Sequence, residues 1–180
     1  MQTERKKGAR ERIVETATYL FHTQGYNATG INQVIREASV AKASLYQHFE
    51  SKEDLAIAYL KQRHISWFAR LEDYVKNDQE NTVLSAFRFI CYMNERENYR
   101  GCSFLNILSE IPANNTRILA VIREHKCDLR DFFRKLLPEE EEQLTDTVYL
   151  LFESAIMESR MFRDNWPVQR AVEIVQSLLK

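Results

Sequence analysis

The sequence predicts an all-α fold, and two observations carry that expectation. Only 4 of the 180 residues are Gly and 3 are Pro, too few punctuation points for the many tight turns of a sheet protein. Between them, apolar residues recur at three- and four-residue intervals, the period of one helical face. About nine helices and no strand are expected, with no internal repeat and no low-complexity segment.

The first helix is expected from about Arg5 to Gln24, with Ile13, Ala17, Leu20 and Phe21 on one stripe and Gly25 at its C-terminal stop. A short helix from Ile31 to Glu37 turns Val34, Ile35 and Ala38 inward. Ser39-Val40 then connects tightly to a second short helix, about Lys42 to Phe49. Ser51 followed by Lys52-Glu53-Asp54 reads as an N-cap with carboxylates in the first turn. The long helix it opens should reach Tyr74 or Lys76, and about 25 residues at 1.5 Å each give a rod of ~37 Å.

Beyond Asn77, Val83, Phe87, Ile90 and Cys91 form one face of a helix from Thr82 to about Glu97. Ser103 to Ile111 is a short helix stopped by Pro112. Asn115 or Thr116 caps the next, which reaches Leu137 with Ile118, Ile122, His125, Leu129, Phe132 and Leu136 in register and breaks at Pro138. The run Glu139–Glu142 opens a helix ending near Asp164, its acids at the positive dipole end. Trp166-Pro167 starts the last helix, Pro at its first position, with Val168, Val172, Val175 and Leu179 as the stripe.

Charge and chemistry narrow the function classes. Net charge is −1, but residues 1–63 hold ten Lys/Arg against seven Asp/Glu, while the remainder holds fifteen against nineteen. The N-terminal excess suits contact with nucleic acid, and it suits equally a solvated tail of Arg5, Lys6, Lys7, Arg10 and Arg12. His22, His48, His64 and His125 fall in separate helices, and Cys91, Cys102 and Cys127 match no zinc spacing. Neither a Gly-rich phosphate loop nor a nucleophile elbow is present. No catalytic activity, metal or cofactor is therefore expected. No apolar leader follows the opening Met, and apolar runs such as Val148–Phe152 are far shorter than the ~20 residues of a membrane span. A cytoplasmic protein with reduced thiols is the expectation.

The informative stretch is Gly25–Leu55, GYNATGINQVIREASVAKASLYQHFESKEDL. Two short helices joined by a tight turn and braced by a longer preceding helix follow the helix-turn-helix plan. In that plan the second helix enters the DNA major groove N-terminus first, which brings Lys42, Ala43 and Ser44 to base edges. Lys donates to guanine, Ser reaches base or phosphate, and the Ala methyl meets a thymine methyl. One turn later Tyr46, Gln47 and His48 offer donors at backbone height. The other reading of Tyr46, His48 and Phe49 is ordinary helix packing. The ordered constellation with its flanking helices favours DNA.

Over residues 10–55 the chain resembles the TetR family of bacterial transcription regulators. The resemblance lies in Gly25-Tyr26, Thr29, Ile31, Val34 and the run Ser44-Leu45-Tyr46-Gln47-His48-Phe49 with Ser51-Lys52-Glu53-Asp54-Leu55. It implies that Lys42, Ala43 and Gln47 face bases of double-stranded DNA. Thr29, Ser44, Tyr46, His48 and Lys52 would hold phosphates, and Leu45 and Phe49 would be core. The chain departs from the family pattern at Ser39 and Ala43, where Gly is usual, and at Ala41, where Ser often stands. Ala41 removes a capping hydroxyl typically worth ~1 kcal/mol.

The resemblance further implies a DNA-binding domain over residues 1–50 and an effector-binding and dimerisation domain over 51–180. It places a small-molecule pocket and a two-fold four-helix bundle in the second. Pocket candidates are Phe87, Cys91, Cys102, Phe104, Leu105, Asn106 and Phe132, each of which also suits a plain filled core. Asn106 needs a polar partner, either a ligand or backbone. Cys102, near a helix start, is either a small apolar filler or a reactive thiol that senses redox state or electrophiles. Expected homodimer contacts are Leu151, Ala155, Ser159, Val172 and Val175, where small residues allow close helix approach. The implied function is a repressor released from a palindromic operator by a small, largely apolar effector. The alternatives are a helix-turn-helix protein without an effector and a cysteine-based redox sensor.

Overall fold

The computed structural model describes residues 7–77, 81–138 and 141–180. Nine α-helices and no strand occur among them: α1 Ala9–Thr23, α2 Ile31–Glu37, α3 Lys42–His48, α4 Lys52–Asn77, α5 Thr82–Arg96, α6 Ser103–Leu108, α7 Thr116–Leu136, α8 Glu142–Phe162 and α9 Trp166–Leu178. No helix among the described residues is long and apolar enough to cross a membrane.

Most boundaries follow from single residues. Gly25, at φ +103°, takes the left-handed conformation that ends α1, and a Cβ there would meet the Glu110 carboxylate at 2.9 Å. Ser51 Oγ accepts from the Asp54 amide at 3.1 Å and caps α4. Asn115 Oδ1 accepts from the Ile118 amide at 3.0 Å and caps α7. The sequence reading missed Asn81, whose Oδ1 takes the Val83 and Leu84 amides at the start of α5.

Three expected boundaries move. α1 starts at Ala9 after an extended Gly8, and Arg5 and Lys6 lie outside the described residues. α6 stops at Leu108 rather than Ile111, and a tightened turn follows in which the Glu110 amide donates to the Ile107 carbonyl three residues back. α8 starts at Glu142; Glu139 and Glu140 lie outside the described residues.

The chain divides into two compact units, one of residues through Arg63 with Ser103–Ile122, the other His64–Cys102 with Arg123–Lys180. In the first, α1, α2 and α3 pack on one another around Ile13, Ala17, Leu20, Phe21, Val34, Leu45 and Phe49, all buried. The start of α4 adds Leu55 and Tyr59, whose ring lies 5.7 Å from that of Phe21. The division differs from a boundary at residue 50, since the first half of α4 and the segment of α6 share this unit. In the second unit α8, α9 and α5 pack together. Phe87, Phe89, Phe133 and Phe152 fill its core, with Trp67 and Phe68 against them.

Candidate nucleic-acid interface

Local chemistry makes α3 a presented helix. Leu45 and Phe49 are buried and anchor it, whereas Lys42, Ala43, Tyr46, Gln47 and His48 are exposed and Ser44 is half-buried. Side chains at positions 42, 43, 46 and 47 recur at the one-face spacing of a helix, so one solvent face carries an ammonium, a methyl, a phenol and an amide. His48 adds an imidazole in the last turn. Ala41 occupies the N-cap with no side-chain hydrogen bond, leaving the first amides of α3 open toward whatever that end meets.

The turn before α3 is held from α1. Ser39 sits at φ +52°, a left-handed conformation that disfavours a side chain. Arg12 compensates: its Nε donates to the Ala38 carbonyl at 3.2 Å and its Nη2 to the Ser39 carbonyl at 3.4 Å. Arg12 is therefore a half-buried brace of the turn, not part of a solvated tail. Arg10 lies over the Phe49 ring at 5.5 Å.

Two expected phosphate contacts change character. Thr29 is fully buried, and its hydroxyl donates to the Gly25 carbonyl at 2.7 Å. Its side chain holds the loop between α1 and α2 rather than reaching outward. Lys52 is half-buried with its ammonium 4.3 Å from the centre of the Tyr26 ring. Burial pulls the Lys52 pKa below its ordinary 10.5, against the opposing attraction of Glu110.

Three sites in this unit tie α6, α7 and the loop between them to α1, to the loop after it and to the start of α4. Glu110 accepts from the Asn27 amide at 2.6 Å, and Asn27 Nδ2 donates to the Glu110 carbonyl at 2.9 Å. Arg117 spans Glu53 at 2.8 Å and Asp54 at 2.6 Å, while Asn115 Nδ2 reaches Glu53 at 2.9 Å. His22 Nδ1 lies 3.2 Å from Ser103 Oγ.

Comparison with known proteins matches this arrangement. Residues 13–59 fit the family model for bacterial regulatory proteins of the tetR family. The uncharacterized HTH-type transcriptional regulator YxaF of Bacillus subtilis is 27% identical over 96% of this chain and 95% of its own length. The crystal structure of a TetR-family transcriptional regulator from Streptomyces coelicolor superposes with a TM-score of 0.83 at 25% identity, covering 95% of this chain and 88% of that one. The chain belongs to the TetR family. It is a helix-turn-helix transcriptional regulator, and its relatives are regulators rather than enzymes. The HTH-type transcriptional regulator LmrA of Bacillus subtilis is 54% identical over 50 residues, 27% of each chain.

In this TetR-family chain the expected pocket residues are divided between the two units. Phe104, Leu105 and Asn106 belong to the first unit, and Phe87, Cys91, Cys102 and Phe132 to the second. Phe87 is fully buried with its ring 5.3 Å from Phe152 and 6.2 Å from Phe133; Phe132 stacks edge-on against Phe133 at 5.4 Å. Phe87 is filled core, and Phe132 is half-buried against it. Cys91 packs against the same core, and burial, then Glu95, push its thiol pKa up. A cavity of about 410 Å³ opens elsewhere in the second unit, lined by Val83, Leu136, Leu137, Leu144 and Leu178 among others.

Three expected dimer residues also change role. Ala155, Ser159 and Val175 are buried inside their own unit, where α8 packs on α9, and Ser159 Oγ donates to the Ala155 carbonyl. Leu151 and Val172 are half-buried against the same core. The outward faces of these helices instead show Leu150, Met157, Met161, Trp166, Ile174 and Leu178, all exposed. Histidines separated in sequence meet here: His64 Nδ1 lies 3.2 Å from His125 Nδ1, and His64 Nε2 lies 3.7 Å from Asp128. Among the described residues no group of three or more His, Cys, Asp or Glu could hold a metal ion.

Proposed function

We propose that the protein is a homodimeric, cytoplasmic repressor that grips a palindromic operator with α3 of each copy and is released by a small effector. The observation that carries the DNA-reading part is the exposed face of α3, set on a buried Leu45–Phe49 anchor. Lys42, Ala43 and Gln47 are assigned to bases and Ser44, Tyr46 and His48 to phosphates, with Lys52 at the edge of the site. Residues 1–50 then carry DNA recognition and residues 51–180 effector binding and dimerisation. A dimer sets two recognition helices about one DNA turn apart, ~34–36 Å, to match two half-sites.

Release requires that the effector favour a state with mismatched half-site spacing. A coupling of about 1–3 kcal/mol, or 5–150-fold in affinity, suffices, and an effector that binds both states equally achieves nothing.

The test is selection of genomic fragments by the purified protein, followed by titration of a recovered operator. Tyr46→Ala should weaken binding to all sequences roughly alike, while Lys42→Ala should also relax base preference, each by about 1–3 kcal/mol. If both variants bind the operator like the parent, α3 is not the reading helix.

A further inference from the structure

Cys102 lies beside a fixed cation. It follows Gly101, which takes φ +75°, where a Cβ would meet Arg160 Cδ at 2.7 Å; the methylenes of Arg160 thus lie across the backbone next to the thiol. Lys126 of α7 donates from Nζ to Cys102 Sγ at 3.4 Å and also pairs with Glu153 of α8. The side chains of Lys126 and Glu153 are each only 15% exposed. Glu153 Oε1 is buried and has no hydrogen-bond partner among the described residues. Tyr149, one turn earlier on α8, joins the same charged group.

Burial alone would favour a neutral Lys126 amine. The neighbouring Cys102 and Glu153 outweigh burial and hold its pKa above the ordinary 10.5. A half-buried thiol, reachable by a small molecule, therefore faces an ammonium that stays charged and cannot swing away into water. The other two thiols differ. Cys91 is packed on the core with its pKa pushed up, and Cys127 is exposed on α7.

We propose that Cys102 is a covalent capture site for soft electrophiles, small α,β-unsaturated carbonyl compounds, and that the adduct is a signal read by the DNA-binding unit. The proposal rests on the regulatory reading above and gives its effector a chemical class. In the reaction the Cys102 sulfur forms a bond to the β-carbon, and the carbon–carbon π pair moves to give an enolate. The thiol's proton leaves to solvent and the enolate takes one from solvent at its α-carbon, so the addition is proton-neutral overall and consumes no oxidant or reductant. Lys126, 3.4 Å from the sulfur, sets a fixed positive charge beside the attacking atom and the enolate charge that develops next to it. The next residue, Ser103, is buried, with its Oγ 3.2 Å from His22 of α1, the helix whose Arg12 braces the turn before α3. A substituent on Cys102 thus acts one residue from a contact made by α1 of the reading unit.

The experiment treats the full-length protein with methyl vinyl ketone and follows each cysteine by peptide mass mapping, alongside operator binding by fluorescence polarisation. Cys102 should react about tenfold faster than the exposed Cys127, Lys126→Met should erase that preference, and Lys126→Arg should restore it. Operator affinity should fall about fivefold or more as the Cys102 adduct accumulates, and Cys102→Ser should be insensitive. Faster reaction at Cys127 than at Cys102 in the parent overturns the proposal, and that comparison needs no variant to fold. So does complete Cys102 modification without a change in affinity. If the untreated protein selects no DNA, the regulatory reading falls instead, while the mass map still decides whether Lys126 activates the thiol.

Discussion

Thr29 is fully buried in the loop between α1 and α2, and its hydroxyl gives the Gly25 carbonyl a donor at 2.7 Å. Thr29→Val keeps the volume and removes only that donor, leaving a buried acceptor poorly satisfied. The expected cost is about 1–3 kcal/mol, which for a chain of this size lowers the thermal midpoint by roughly 2–10 °C. Calorimetry at neutral pH measures it; an unchanged midpoint with weakened DNA binding would return Thr29 to the phosphate role. The family pattern named Thr29 but not its job, because sequence order does not say whether a hydroxyl points into a loop or out of it. Arg12 was harder to find. Nothing in its neighbours separates a turn brace from a charged tail, and only the carbonyls of Ala38 and Ser39, in the turn between α2 and α3, decide between them.

At the scale of the helix, what was legible was punctuation. Gly25, Ser51, Asn115, Pro112 and Pro138 mark stops and starts through local backbone chemistry, which needs no tertiary information. What was not legible was which of two apolar faces is covered. α8 carries Val148, Phe152, Ala155 and Ser159 on a buried face and Leu150, Met157 and Met161 on an exposed one, and periodicity alone assigns neither to core nor partner.

The start of α4 allows a test of cap and charge together. Ser51 Oγ takes the Asp54 amide and donates to its carboxylate at 2.7 Å, and Arg117 adds an ion pair at 2.6 Å. The Ser51 hydrogen bond first, then Arg117, hold the Asp54 carboxyl below its ordinary 3.8. A depressed folded pKa means that this stabilisation is complete above about pH 3.8 and is lost as pH falls through the lower folded value. Ser51→Ala should therefore cost about 1 kcal/mol at pH 7 and distinctly less at pH 2. Urea unfolding at both values gives the comparison, and an equal loss at pH 7 and pH 2 would mean that Asp54 plays no part.

For the molecule as a whole, the outward faces of α8 and α9 matter most. Leu150 is 63% exposed, Met161 65% and Trp166 48%, with Met157, Ile174 and Leu178 beside them in the same two helices. Large apolar side chains exposed in this number on two neighbouring helices suit a partner surface. Self-association of the same face on two copies, an isologous contact, covers both at once. The residues expected there, Ala155, Ser159 and Val175, serve one step further in: they let α8 and α9 approach closely, so that the larger side chains present a shared surface. Leu150→Arg with Met157→Arg leaves that inner packing intact and places two like charges in the contact of each copy. Light scattering should then give a folded species near 21.3 kDa where the parent gives twice that mass. Operator affinity should fall by about 10²–10⁴, because the second half-site no longer binds at the effective concentration that a dimer provides. A double variant that remains a dimer would move the interface to another face. A parent that is already monomeric at micromolar concentration would remove the two-half-site geometry from the mechanism, and with it the argument that an effector works by changing the distance between two recognition helices.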